Sequence, residues 1–371
     1  MLERVAGMSD VQPLRVFPVL LPMWAVEIRT VVLDAQPYEV FDQYVSRAVA
    51  GAGLREPARL AAFFGVEVGL IERAVRYLES VGHLRGDGAG VVLTELGRRS
   101  VADGCRYVLK EDRQVVYLDG FTCAPLPKSH YAGTEWCDEP SLRLADRTSF
   151  HPVTASPAFR VGAIQELADR PDRERFNLPG ALTEVEPLEV RQAWLPAYIV
   201  ECVSGLLVFI KAVDGPDRHL GTIVTPYLTE VLAAEPRVDD VEVWRNWLEA
   251  KGFPDARIRR MPNRVLRAGL PAAAFGQAMR WAQLGSFEVR QQTFMQLWCA
   301  DAAARQHAVL VRAAAIAGAG GVRRRAEVEQ RLADLAGQLE VTVPGWDDLY
   351  RYAEKMDDRA LLDRLDVLAP G

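Results

Sequence analysis

From Pro37 to Val101 the spacing of apolar residues and the placement of chain breakers allow very few folds. Pro37 to Ala50 has helical spacing, with Val40, Phe41, Tyr44, Val45 and Ala48 on one side. Residues 55 to 64 predict a second, short helix. Pro57 suits its first turn, where the missing N–H is not needed, and Leu60, Ala61, Phe63 and Phe64 follow before Gly65 ends the run. Residues 67 to 81 predict a third helix through Leu70, Ile71, Ala74, Val75 and Leu78, stopped by Gly82. His83 to Arg85 and Val91 to Leu93 then flank Gly86-Asp87-Gly88-Ala89-Gly90, which reads as a tight hairpin. Thr94 can cap a further helix that begins Glu95-Leu96-Gly97-Arg98-Arg99.

This order of helix, helix, turn, helix, glycine-rich hairpin and Leu93-Thr94-Glu95-Leu96-Gly97-Arg98 resembles the winged helix-turn-helix domains of bacterial regulators such as the MarR and PadR families. The matching pieces are Leu60 to Val66, Val75 to Leu84 and the LTELGR segment. The whole constellation spans residues 37–101, and the resemblance covers about a fifth of the chain. The resemblance implies that the third helix faces a DNA groove and that the hairpin lies near adjacent phosphates. Such a surface needs positive charge, because phosphate neutralisation supplies most of the affinity. The available residues are Arg59, Arg73, Arg76, Arg85, Arg98 and Arg99, opposed by Glu67, Glu72, Glu79, Asp87 and Glu95. From residue 51 to 100 there are seven Arg, no Lys and six acids, a balance that leaves open both nucleic acid and protein as the partner of this face.

The whole chain of 371 residues carries a formal charge of −6, which argues against a wholly basic nucleic-acid coat but not against a local basic face. One such stretch holds Arg257, Arg259, Arg260, Arg264 and Arg267 within eleven residues that contain no acid, and Arg323-Arg324-Arg325 form a second cluster. Planar guanidinium groups there can track phosphates, or can guard an exposed edge strand against aggregation. No apolar run is long enough for a membrane span. The start of the chain lacks the order of a signal peptide, and the five scattered cysteines read as reduced thiols, so a cytoplasmic location is expected.

The expected fold class is α+β: a winged helix followed by a larger mixed domain and C-terminal helices. The expected divisions are an arm at residues 1–36, the winged helix at 37–104, a β-rich connector at 105–187 and a mixed domain at 188–371. Within them, residues 1 to 12 read as a loose leader, and Leu14 to Leu33 as strands broken by Pro18 and Pro22. Arg106 to Leu109 and Arg113 to Leu118 read as two strand segments, Ser156-Pro157 as a helix start and 169 to 187 as the main linker. Farther on, Thr225-Pro226 opens a helix, and residues 256 to 267 form one strand. Residues 271 to 283 are helical, Phe287 to Cys299 alternates, and His307 to Arg312 is a return strand.

Other candidate sites are weaker. Cys123, His130, Cys137 and His151 have soft ligand atoms, but the short pairs usual for zinc are missing. Val115 to Thr122 resembles the nucleophile strand of haloacid-dehalogenase-type phosphotransferases. Phe121, however, stands where the second Asp is needed, so Asp119 reads as a turn residue. Gly318, Gly320 and Gly321 lack the spacing of a phosphate loop, and His219 and His307 are isolated. Trp194, Tyr198, Trp244, Trp247, Trp281 and Trp298 read as core anchors. The expectation is a non-enzymatic, nucleic-acid-binding protein that uses the winged helix and the Arg257–Arg267 surface, without cofactor or metal. Two alternatives stay open: an interaction subunit of a larger bacterial assembly, and a phosphodiester-cleaving enzyme with a C-terminal site. Homo-oligomerisation through the C-terminal helices is also open.

Overall fold

The structure, a computed structural model, describes residues 1–8, 11–144, 148–153, 158–318 and 322–368. The chain is mixed α+β. Its first elements are α1 (Leu2–Ala6), β1 (Pro13–Gln36), α2 (Val40–Gly51), α3 (Pro57–Phe64), α4 (Val68–Ser80), β2 (Leu84–Gly86), β3 (Val91–Leu93), α5 (Glu95–Asp103) and β4 (Arg106–Asp119). Then come β5 (Leu142–Arg143), β6 (Ser149–Pro152), α6 (Ala163–Ala168), β7 (Leu182–Cys202), β8 (Gly205–Phe209), α7 (Arg218–Ala234) and α8 (Asp240–Ala250). The chain ends with β9 (Arg257–Arg260), β10 (Leu266–Leu270), β11 (Phe287–Arg290), β12 (Thr293–Cys299), α9 (Ala302–Gly318), α10 (Arg325–Gln338), α11 (Trp346–Lys355) and α12 (Arg359–Leu368). These elements form two compact units. The first takes Met1–Leu21, Gly133–Val153 and Leu195–Gly371; the second takes Pro22–Ala132 and Thr154–Trp194.

In the second unit, the later part of β1 pairs antiparallel with β4 from Met23↔Asp119 to Gln36↔Arg106. Arg106 to Asp119 is therefore one strand, not two segments, because the ladder continues through its exposed polar middle, Lys110 to Arg113. Nor do Pro18 and Pro22 break β1. Each immediately precedes the start of a pairing, Val19↔His151 and Met23↔Asp119, and so stands clear of those ladders. Val26, Ile28, Val116 and Leu118 from these strands share a core with Ile164, Leu167 and Phe176. Residues 169–187 are not a linker. Arg173, in a 3-10 turn, donates to the carbonyls of Ala168 (2.9 Å), Pro179 (3.1 Å) and Gly180, and β7 begins at Leu182.

The same unit holds a helix–hairpin module built from α2 to α5. Its core is Val45, Leu60, Ile71, Val75, Leu78, Leu84 and Leu93. Gly65 closes α3 with φ +65, a left-handed turn that favours glycine. The β2–β3 pairing runs Leu84↔Leu93, Arg85↔Val92 and Gly86↔Val91. Thr94 caps α5 by accepting from the Gly97 amide at 3.0 Å. Gly97 itself lies so close to the backbone of His83 that a Cβ there would sit 2.2 Å from the His83 oxygen. No side chain fits at that position, which accounts for the glycine in the LTELGR segment.

In the first unit, β5 pairs antiparallel with β6, and the end of β7 pairs with β8 from Tyr198↔Phe209 to Cys202↔Gly205. A separate sheet has the order β11-β12-β10-β9, with β10 and β12 parallel. Gln291 and Gln292, with φ +46 and +67, turn β11 into β12, whose residues are all buried. This sheet shares a core with α8 to α12 through Trp244, Met295, Leu297, Ala308, Leu332, Leu349 and Leu365.

Several expectations for this unit are corrected. Residues 1–12 are not a loose leader throughout, since α1 buries Leu2 and Val5. Residues 256–267 are not one strand; they include all of β9 and the start of β10, joined by a turn in which the Met261 amide bonds the Val265 carbonyl at 2.8 Å. His307 to Arg312 is not a strand but lies within α9, whose buried Ala304, Ala308, Ala313 and Ala317 follow helical spacing. Residues 271–283 are not a continuous helix. They hold only two 3-10 turns, separated by Gly276 at φ +92. α7 begins at Arg218, earlier than Thr225-Pro226, because Asp217 caps it by accepting from the Leu220 amide at 2.9 Å. Ser156-Pro157, Gly320 and Gly321 lie outside the described residues.

Candidate nucleic-acid interface

In α4, Ile71, Ala74, Val75 and Leu78 point into the module core. The 3.6-residue period then places Gly69, Arg73, Arg76 and Ser80 along the centre of the opposite face, and all four are exposed. One flank of that face carries Leu70 and Tyr77, the other Val68, Glu72 and Glu79. Arg85 is exposed on the hairpin. The described contacts give Arg73, Arg76 and Arg85 no ion pair. The other candidates in the module are engaged locally. Arg59 pairs with Glu56 at 3.6 Å, Arg98 with Glu95 at 2.9 Å and Arg99 with Asp103 at 3.8 Å.

The Arg257–Arg267 segment divides in the same way. Arg257 and Arg259 are exposed on β9, an edge strand, and Arg264 is exposed in the following turn. The described contacts give none of the three an acidic partner. Arg260 is held by both oxygens of Asp240, at 2.8 and 2.9 Å. Arg267 lies 3.9 Å from the centre of the Trp298 ring, donates to the Gln296 side chain at 2.8 Å and pairs with Glu340 at 3.3 Å. This guanidinium belongs to the packing around the sheet. In the other basic cluster, Arg325 bonds Glu329 at 2.7 Å and sits 4.8 Å from the Trp346 ring.

The module also contains a buried polar knot that no sequence spacing announces. His83 is fully buried, with Nε2 2.7 Å from the Tyr107 carbonyl and Nδ1 3.2 Å from the Tyr38 hydroxyl. A carbonyl only accepts, so Nε2 carries a proton, and the Tyr38 hydroxyl is shared between His83 Nδ1 and the Ser46 hydroxyl at 3.2 Å. Ser100 supports both partners, lying 3.3 Å from His83 Nε2 and accepting from the Tyr107 amide at 3.1 Å. Burial pushes the nearby Asp42 carboxyl above its ordinary range, an effect that Arg106 partly offsets. The knot joins α2, α5, β4 and the approach to the hairpin, so it fixes where the exposed face of α4 is held.

The remaining candidates have structural placements. Asp119 is buried and accepts from the amides of Phe121 (2.8 Å), Thr122 (2.7 Å) and Ala124 (2.7 Å) and from the Thr122 hydroxyl (2.6 Å). Its oxygens organise a turn. His307 packs edge-on to Trp281 at 4.6 Å, and burial pushes its pKa down. Cys123 is buried at positive φ, His130 is buried in a 3-10 turn, Cys137 is half-buried and His151 is exposed. Among the described residues, no group of three or more His, Cys, Asp or Glu is disposed to hold a metal. No helix among them is long and apolar enough to cross a membrane. Comparison with protein-family models, with curated proteins and with solved structures gives no match.

Proposed function

We propose that residues 37–104 act as a winged-helix module that binds duplex DNA, with α4 as the recognition helix and the β2–β3 hairpin as the wing. One observation carries the reading: Arg73 and Arg76 stand one turn apart at the centre of the exposed α4 face, and Arg85 stands on the hairpin, all three without acidic partners among the described residues. Guanidinium groups so placed can reach phosphates or base edges. Arg257, Arg259 and Arg264 are a further set of exposed cations for backbone contact in the full chain.

The reading fixes a magnitude. Each phosphate neutralised contributes about −0.9 to the slope of log affinity against log salt. Three contacts from the module therefore give roughly −3, and the second set can at most double that. The test is anisotropy titration of the full chain against a pool of duplexes between about 50 and 200 mM salt, the range over which this effect is large. A slope between about −2 and −6 that shrinks by roughly 1 for each Arg73→Gln or Arg76→Gln change supports the reading. Absence of salt-sensitive binding at the lowest salt would sink it.

A second reading, a protein partner, is favoured by one specific feature. Phe63 is 62% exposed, Val68 42%, Tyr77 39% and Leu70 36%, so α3 and α4 present large apolar side chains as well as charge. If Phe63→Asp leaves duplex affinity unchanged while Arg73→Gln lowers it, the charged groups act on DNA and the apolar ones serve another contact.

A further inference from the structure

We propose that the first unit binds a small amphipathic anion, a chain or ring system ending in a carboxylate or similar acid, in a cavity among α1, β6, β7 and β8. This inference is independent of the reading of the helix–hairpin module. The cavity measures about 470 Å³, inside the range of small-molecule sites. Phe150, Leu195, Tyr198, Phe209 and Ile210 form an apolar wall. Three of them, Phe150, Leu195 and Phe209, are at most 5% exposed, so the wall is part of the packed interior. Phe150 and Tyr198 meet edge to face at 5.1 Å, which fixes both rings. An apolar surface of this kind gains from covering by hydrocarbon.

The sign of the ligand's charge follows from the four charged side chains that line the cavity: Glu3, Arg4, Glu135 and Lys211. Glu3 is engaged by Arg312, whose side chain is only 15% exposed. Arg4 pairs at 2.5 Å with Asp214, which is 91% exposed and does not line the cavity. Lys211 pairs at 2.6 Å with Glu135, and both are about 70% exposed. Exposed pairs of this sort contribute little and exchange readily with other partners. A ligand acid can therefore replace Asp214 and Glu135 at the two cations. A ligand cation would find Glu3 already engaged and could pair only with Glu135, by displacing Lys211.

The test titrates the full chain with decanoate, decan-1-ol and decyltrimethylammonium, each below its micellar concentration, by calorimetry. Decanoate is expected to bind at least tenfold more tightly than decyltrimethylammonium, and each methylene added or removed should change its affinity by about fourfold. Changing both Arg4 and Lys211 to Gln should erase the preference for the acid while leaving decan-1-ol binding in place. Leu144→Trp, at a half-buried lining position, should weaken all three. Equal affinities for the three amphiphiles, a preference for the cation, or decanoate binding indifferent to both sets of changes would overturn the proposal.

Discussion

In the helix–hairpin module, the candidate arginines that have acidic partners find them within a single turn of helix: Arg59 with Glu56, Arg98 with Glu95, Arg99 with Asp103. In the Arg257–Arg267 segment, the paired arginines are held from far along the chain, Arg260 by Asp240 and Arg267 by Gln296, Glu340 and the Trp298 ring. The two kinds of pairing behave differently. The local pairs are exposed, weak and screened by salt, so a phosphate can displace them. The side chain of Arg267 is 20% exposed and packed on an aromatic ring, so releasing it disturbs the sheet beneath. Arginine count alone, six in the module and five in the segment, therefore does not measure available charge. Among the described residues, three of the module's six have no acidic partner and three are in loose pairs, whereas in the eleven-residue segment Arg257, Arg259 and Arg264 have none and the other two are held from afar.

The largest expected effect falls on the scaffold that holds the module's face. Gly97→Ala drives a Cβ against the His83 carbonyl at 2.2 Å, beside the Leu93 side chain. Neither can retreat without moving the hairpin, so a loss of about 3 kcal/mol is expected in urea unfolding. An unchanged midpoint would mean that this close approach is relaxed in solution. Next in size is Arg267→Ala, expected to cost about 2 kcal/mol through the lost ring contact and side-chain packing. Arg257→Ala should stay within about 0.5 kcal/mol. If the two cost the same, the contrast between packed and available arginines is wrong.

Those two positions also mark what a sequence can announce. The module was legible because its signals are local: Pro57 inside a first turn, Gly65 and Gly82 where helices stop, and Thr94 three residues before Gly97. Each acts on its own neighbours, whatever the rest of the chain does. The partners of Arg260 and Arg267 lie 20 and 29 residues away, and no period connects them. The continuity of β1 is hidden from local sequence for the same reason. Whether a proline breaks a strand depends on which neighbours demand its N–H, and the neighbours of β1 come from β4, β6 and β7, all distant in sequence. His307 to Arg312 reads in isolation as a short apolar strand, but the alanines on either side continue a helix across it. The His83 knot and the cavity draw on residues scattered over several elements, so neither leaves a motif.

A smaller effect separates the two sets of exposed arginines that have no acidic partner among the described residues. Near 0.1 M salt, losing one phosphate contact should weaken DNA binding roughly eightfold. Arg73→Gln with Arg76→Gln is thus expected to reduce affinity by about two orders of magnitude at low salt. Arg257→Gln with Arg259→Gln tests whether β9 touches the same duplex. A salt slope smaller by about 2 says that it does. An unchanged slope restricts the interface to the module and leaves the edge strand its protective role.

The smallest expected effect tests whether the face of α4 is tuned by its own acids. Glu72 and Glu79 are exposed beside Arg73 and Arg76 and take part in none of the described ion pairs. At a separation of about 8 Å in water, a like charge opposes an approaching phosphate by about 0.5 kcal/mol before screening, and salt at 0.15 M reduces this further. Glu72→Gln with Glu79→Gln should therefore strengthen duplex binding two- to threefold at low salt, with the gain fading as salt rises. If α4 instead meets a protein that carries basic groups, the same double change weakens that contact, because the carboxylates then attract. The sign of this effect, read with the duplex and with any partner recovered, decides which of the two surfaces these carboxylates were placed to meet.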